Sequence, residues 1–233
     1  MGSSVIRTMA AALVAVAMAS PALAALTYTE DFNSGHANWK QDSAGATNVV
    51  PVSTGGPSND AYVTRNFTLG QYTAPGPQGP AASIIFRGQK NFNSSGQAFV
   101  GNWITEKVTE ISAYVRHDLG VPMDYTIRLA TSGNTPAASY LTSAPAPRGV
   151  WTKITFDVTP SSPQNLTYGG GTYATVFSDI ANIQLSDVIP AGWAGGVSKT
   201  FDLDRVAVVP EPATFGIAGS ALAGLAMLIR RRR

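Results

Sequence analysis

The sequence predicts an all-β domain, a two-sheet antiparallel β-sandwich of jelly-roll type, with an N-terminal signal peptide before it and a short C-terminal transmembrane helix after it. Three observations carry this. Apolar and polar residues alternate with a period of two in one short segment after another. The chain's 23 Gly and 15 Pro gather between those segments, where turns are needed. Both ends are apolar runs flanked by arginine, unlike the middle.

Residues 1–24 read as a secretory signal. Arg7 precedes a run from Met9 to Ala19 made almost wholly of Ala, Val, Leu and Met, and Ala22-Leu23-Ala24 forms a small-x-small cleavage site, so cleavage is expected after Ala24. An uncleaved N-terminal anchor is the other reading.

Residues 25–208 form the predicted sandwich. Leu26 to Phe32 is the first strand, Asn33-Ser34-Gly35 a turn, and Trp39 a core residue. Pro51 to Asp60 reads as loop, Ala61 to Leu69 as strand, and Gly70 to Pro80 as exposed loop. Ser83 to Phe86 is a short apolar strand and Asn91 to Gly96 a turn. Glu110 to Arg116 places Ile111, Ala113 and Val115 on one face. Asp124 to Ala130 places Tyr125, Ile127 and Leu129 inward against Asp124, Thr126 and Arg128. Trp151 to Val158 turns Ile154, Phe156 and Val158 inward, and Asn182 to Val188 carries Ile183 and Leu185. Ser161 to Gly171 is a long loop, and Thr172 to Ile180 fits a strand or a short helix equally. Phe201 to Val208 changes phase between Leu203 and Val206, which predicts a bulge near Asp204-Arg205. Strict alternation leaves one wet face per sheet, and no internal repeat points to a propeller or solenoid.

Residues 209–233 are of another kind. Val209-Pro210-Glu211-Pro212 is followed by an uncharged, Pro-free run, Phe215 to Ile229, and by Arg230, Arg231, Arg232 and Arg233. With Ala213 and Thr214 the run is 17 residues, roughly 26 Å as a helix, just short of a bilayer core. Snorkelling arginines make up the difference and place the C-terminus in the cytoplasm. These three parts, in this order, resemble the PEP-CTERM sorting signal of exported proteins from Gram-negative bacteria that make extracellular polysaccharide. The resemblance implies that exosortase, a membrane protease with a cysteine nucleophile, removes the tail during export. It makes Pro210, Glu211 and Pro212 recognition residues and Arg230–Arg233 a membrane stop. The expected route is the general secretion machinery, a transient inner-membrane anchor, then the cell surface or beyond.

Charge accounting changes once the ends are set aside. Of 16 Lys+Arg and 14 Asp+Glu, residues 25–208 hold 11 and 13, so the working domain is slightly acidic. With no basic stripe, nucleic acid is excluded as a partner. The chain has no Cys and two His, His36 and His117, which removes thiol chemistry and leaves little for a transition metal.

A second resemblance lies in the middle domain. Glu30-Asp31-Phe32-Asn33-Ser34-Gly35 with Trp39, Trp151 to Phe156, and Phe201-Asp202-Leu203-Asp204-Arg205-Val206 are similar to strands of carbohydrate-binding-module and galactose-binding-like jelly rolls. Many such modules hold a structural calcium where first and last strands meet. The matching oxygens are Glu30 or Asp31 with Asp202 or Asp204; the alternative is that these are solvated strand-end carboxylates.

Carbohydrate recognition would use exposed aromatics stacked on sugar rings. Trp103, Tyr140, Tyr168, Tyr173 and Trp193 are candidates, led by Trp193 between Gly192 and Gly195-Gly196; Trp39 and Trp151 are assigned to the core. Among carboxylates, Glu106, Glu110, Asp118 and Asp124 could pair for hydrolysis, but none stands in a catalytic motif, and no Gly-x-Ser-x-Gly elbow accompanies His117. The expectation is therefore an exported, non-enzymatic surface or matrix protein that binds extracellular polysaccharide. Two alternatives remain: a polysaccharide hydrolase or lyase on the same fold, and a purely structural or adhesive component.

Overall fold

Period-two patterning becomes two stacked antiparallel sheets. The computed structural model describes residues 27–75, 80–163 and 166–211. The expectations for the signal peptide, Pro212, the transmembrane helix and Arg230–Arg233 lie outside the described residues. Eleven strands follow in order: β1 (Tyr28–Glu30), β2 (Val50–Val52), β3 (Tyr62–Thr68), β4 (Ala82–Gln89), β5 (Val108–His117), β6 (Tyr125–Ala130), β7 (Ala137–Leu141), β8 (Thr152–Asp157), β9 (Leu166–Tyr168), β10 (Asn182–Val188) and β11 (Ser198–Pro210). Among the described residues one short α-helix, α1 (Tyr173–Phe177), precedes β10, and two 3-10 turns, Lys90–Phe92 and Ser94–Gln97, follow β4.

The first sheet runs β2-β3-β11-β5-β8, with β1 also paired to β11; the second runs β4-β10-β6-β7-β9. Neighbours in space are mostly distant in sequence, as the jelly-roll expectation requires. Inward residues from both sheets meet in one core: Val63, Ile111, Val115, Phe156, Phe201 and Leu203 from one side, Phe86, Ile127, Leu129, Ile183 and Leu185 from the other. Trp39 is fully buried between them and donates its indole N–H to Ser95 Oγ at 2.9 Å. The close seating of its ring explains Gly88 on β4, where a Cβ would come within 2.7 Å of the indole.

Several local expectations resolve on physical grounds. The phase change in β11 is a bulge: pairing with β5 shifts between Asp204 and Ala207, and Arg205 takes φ 47°. This puts Phe201 and Leu203 before it, and Val206 and Val208 after it, on the same inner face. The undecided segment after Thr172 is helical, because Thr172 and Thr175 form a reciprocal capping box. Pro51 is a correction. It lies in β2, not in loop, and β2 is an edge strand, where a missing N–H is tolerated. Trp151 is another correction: it is half-exposed on the outer face of the first sheet, donates to Gly55 O at 2.8 Å, and stacks with Arg116. It stands just before β8 opposite in phase to Ile154, so alternation turns it outward.

Candidate functional site

The outer face of the second sheet holds a depression of about 350 Å³. Its geometry comes from strand register. One row of outward residues runs Arg87, Gln184, Arg128, Ser139, Leu166 across β4, β10, β6, β7 and β9. The next runs Ile84, Ser186, Thr126, Leu141. A third ends in Tyr168, beside Ala137 and Ala130. Pro80 and Ala82 complete one rim.

Arg128 organises this face. Its Nε donates to Tyr168 Oη, Nη1 to Asn134 Oδ1 at 2.7 Å and to Gln184 Oε1 at 3.0 Å, and Nη2 to Asn134 O. Gln184 Nε2 in turn donates to Asn134 Oδ1 at 3.2 Å. A guanidinium held at so many points is oriented before any ligand arrives, which lowers the ordering cost of binding. Hydroxyls of Thr126, Ser139 and Ser186 stand among the apolar walls of Ile84, Leu141 and Leu166. That mixture suits a ligand with both C–H faces and hydroxyl groups.

The structure sorts the aromatic candidates. Tyr168 is half-buried and bonded to Arg128, which lines the depression. Trp103 is a correction: it is fully buried, its indole N–H donates to Phe99 O at 3.0 Å, and its ring meets Phe177 edge-on. Tyr140 is buried too, on the inward row of β7. Tyr173 stacks on Phe177 at 4.3 Å. Trp193 is half-buried and packed against the core, with its indole N–H buried and unpartnered, so it anchors its own loop.

The four residues expected to hold calcium are not brought together as a ligand set. Asp202 pairs with Arg116 at 2.7 Å. Glu30 accepts from Tyr28 Oη and from the Phe32 N–H, both at 3.0 Å. Asp31 is exposed and accepts from Asn33. Asp202 Oδ1 is buried without a hydrogen-bond partner, and so is Oδ2 of Asp204. Burial pushes the Asp204 carboxyl up to about 7. Among the described residues, which include every Asp, Glu and His of the chain, no group of three or more such side chains could hold a metal ion. The set therefore does not fit a carboxylate-rich calcium site.

The carboxylates weighed for hydrolysis are scattered. Glu110 faces Lys153 at 3.7 Å on the other sheet, Asp118 accepts from the Thr200 N–H at 2.9 Å, and Asp124 stands beside Thr142. None lines the depression. His117 is buried; Nδ1 accepts from the Leu119 N–H, leaving Nε2 to donate to Ala146 O, and burial holds it below the usual histidine range. It acts as a neutral structural bridge.

The sorting signal meets the fold directly. The boundary expected after residue 208 falls inside β11, which continues to Pro210. Pro210 is buried and pairs with Val108, and the Glu211 N–H donates to Lys107 O at 2.7 Å.

No curated protein matches the chain. Among solved structures, the N-terminal modules of endo-1,4-beta-D-xylanase 10B from Clostridium thermocellum, complexed with xylohexaose, match at 12% identity and TM-score 0.42, over 80% of this chain and 28% of that one. An exo-beta-agarase matches at 11% identity and TM-score 0.47, over 78% and 25%. A family 11 carbohydrate-binding module of a Clostridium thermocellum cellulosomal cellulase matches at 15% identity and TM-score 0.36, over 79% and 95%. The chain thus spans about a quarter of the first two proteins. Residues 208–233 match the PEP-CTERM protein-sorting motif, and by that motif the chain is one marked for export.

Proposed function

We propose that this protein is an exported, non-enzymatic β-sandwich that binds extracellular polysaccharide in the depression on its second sheet, and that exosortase removes its tail on the way. One observation carries the binding role: the pre-oriented Arg128–Asn134–Gln184–Tyr168 network beside apolar walls and hydroxyls. The non-enzymatic reading draws support from the lining, which contains no Asp, Glu or His to serve as acid, base or nucleophile. A glycan array probed with residues 25–211 tests the role. Binding is expected, and Ser139→Trp, which fills the depression, should abolish it. Absence of binding to every glycan, or binding untouched by Ser139→Trp, removes the proposal. Mature protein from its native cell that still carries Arg230–Arg233 removes the processing step.

A further inference from the structure

Two arginines on the outer face of the second sheet have no acidic partner. Arg87 and Arg128 flank Gln184 in one row, across three adjacent strands. Strands lie about 4.8 Å apart, so the two backbones are roughly 10 Å apart. The ion pairs among the described residues involve Arg116, Lys153 and Arg205, and neither Arg87 nor Arg128. No acid is hidden elsewhere, because all 14 Asp and Glu lie within the described residues.

The two side chains are placed differently. Arg128 gives its N–H groups to neutral oxygens only, those of Tyr168, Asn134 and Gln184. These satisfy geometry but leave the positive charge uncompensated. Arg87 has a buried Nε with no partner at all. Burial, and then the Arg128 charge, hold the Arg87 guanidinium below its ordinary range. The acid that opposes this, Asp42, is itself engaged by the Ala46 and Thr47 N–H groups. Two half-buried like charges on one face, within a domain whose net charge is negative, are electrostatically costly in the free protein. An anion lying between them would relieve that cost, and the planar guanidinium fork suits carboxylate and sulfate oxygens.

We infer that the depression, with Arg128 in its lining and Arg87 two strands along the same row, selects an anionic polysaccharide, one whose carboxylate or sulfate groups reach Arg87 and Arg128 while its sugar faces lie on Ile84, Leu141 and Leu166. This rests on the binding role proposed above and names the ligand class for the same site. The charged groups contribute specificity against neutral chains of the same backbone.

The test is calorimetric titration of the full chain, purified in detergent, with four polymers: polygalacturonate, its methyl ester, dextran sulfate and dextran. The ester keeps the backbone of polygalacturonate but removes its charge. At least one acidic polymer should bind about tenfold or more tighter than its neutral counterpart, and added salt should weaken it. Which of the two binds distinguishes carboxylate from sulfate. Arg87→Gln and Arg128→Gln should each lower that affinity about tenfold; Arg87→Gln is the safer variant, since Arg87 makes no side-chain bond that the fold depends on. Neutral polymers bound as well as acidic ones, or acidic binding unmoved by Arg87→Gln in a folded variant, overturn the inference and leave the polysaccharide-binding role standing. No binding to either acidic polymer also overturns it, and the glycan array then decides whether the broader role falls with it.

Discussion

Asp187→Asn should stabilise the protein at alkaline pH and leave it unchanged at acid pH. Asp187 sits on β10 between Ser83 and Tyr125, turned toward the core, and is 0% exposed. Neither carboxyl oxygen has a hydrogen-bond partner, and neither does Tyr125 Oη or Arg65 Nε close by. Burial raises the carboxyl from 3.8 to about 7, opposed by its own backbone N–H, which lies near it without hydrogen-bond geometry, and by the Arg65 charge. Arg65 cannot fully compensate: its own guanidinium is pulled down to about 10 by burial and then by Arg87, and its Nη1 is committed to Gln41 O and Ile85 O. The sign follows directly. Between about pH 4 and pH 7 the folded state holds a proton that the unfolded state releases, so stability is fullest below the unfolded value and falls as pH rises through about 7. At about 1.4 kcal/mol for each tenfold change in proton affinity, the loss by pH 8 is at most about 4 kcal/mol. Asparagine keeps the shape without the charge. It also gives up the Arg65 attraction, so the net gain should be about 2 kcal/mol, or about 4–8 °C in Tm for a domain of this size. The assay is thermal unfolding of residues 25–211, wild type and variant, at pH 4, 6 and 8. Asp204 is also raised and adds to the wild-type slope, but it is common to both chains and cancels in the difference. An Asn variant equally destabilised at pH 4 and pH 8 would refute the reasoning, because it would mean that an ionised Asp187 holds Arg65 in place.

Other outcomes follow from the packing. Ending the chain after Val208 removes the Pro210 pairing and the Glu211 N–H bond to Lys107, and should cost about 1–2 kcal/mol relative to a chain ending at Glu211, read as a lower Tm. Trp103→Ala should cost about 3–5 kcal/mol by urea unfolding, whereas Trp193→Ala, from a half-buried loop anchor, should cost less and leave glycan binding intact. Chelator should move Tm by less than about 1 °C, since Glu30, Asp31 and one oxygen of Asp202 are engaged by protein partners; a calcium-dependent rise of several degrees would instead seat the ion at the buried oxygens Asp202 Oδ1 and Asp204 Oδ2.

Most of the fold was legible because burial on one side of a strand writes itself as alternation. β5, β6, β8 and β10 all follow the inward residues read from the sequence, and even the bulge in β11 shows as a phase slip between Leu203 and Val206. The short strands β2, β7 and β9 were not legible, since three to five residues give too little periodicity. The site was legible only at Tyr168. Thr126 and Arg128 were seen as an ordinary wet face, yet Asn182, Gln184 and Ser186 on the neighbouring strand are 1–4% exposed. Polar residues at three successive outward positions of a central strand, Asn182, Gln184 and Ser186, were the available signal. The aromatics misled because composition cannot tell a ring lying on a surface from one closing a core: Trp103 is buried and Trp151 is outside.

By itself the sequence determined the fold class and the sorting address, because both are local patterns: a period of two within each strand, and Pro-Glu-Pro, apolar run and arginines in one stretch at residues 209–233. The tertiary structure alone decided what stands beside what. Arg87, Arg128, Tyr168 and Gln184 come from four separate strands, and only strand register sets them on one face. It also decided that the sorting motif begins inside the last strand, with Pro210 buried, because β5 offers pairing partners beyond the point where alternation in the sequence stops. Register and pairing are long-range choices settled by the packing of the whole core, and no local stretch of sequence carries them.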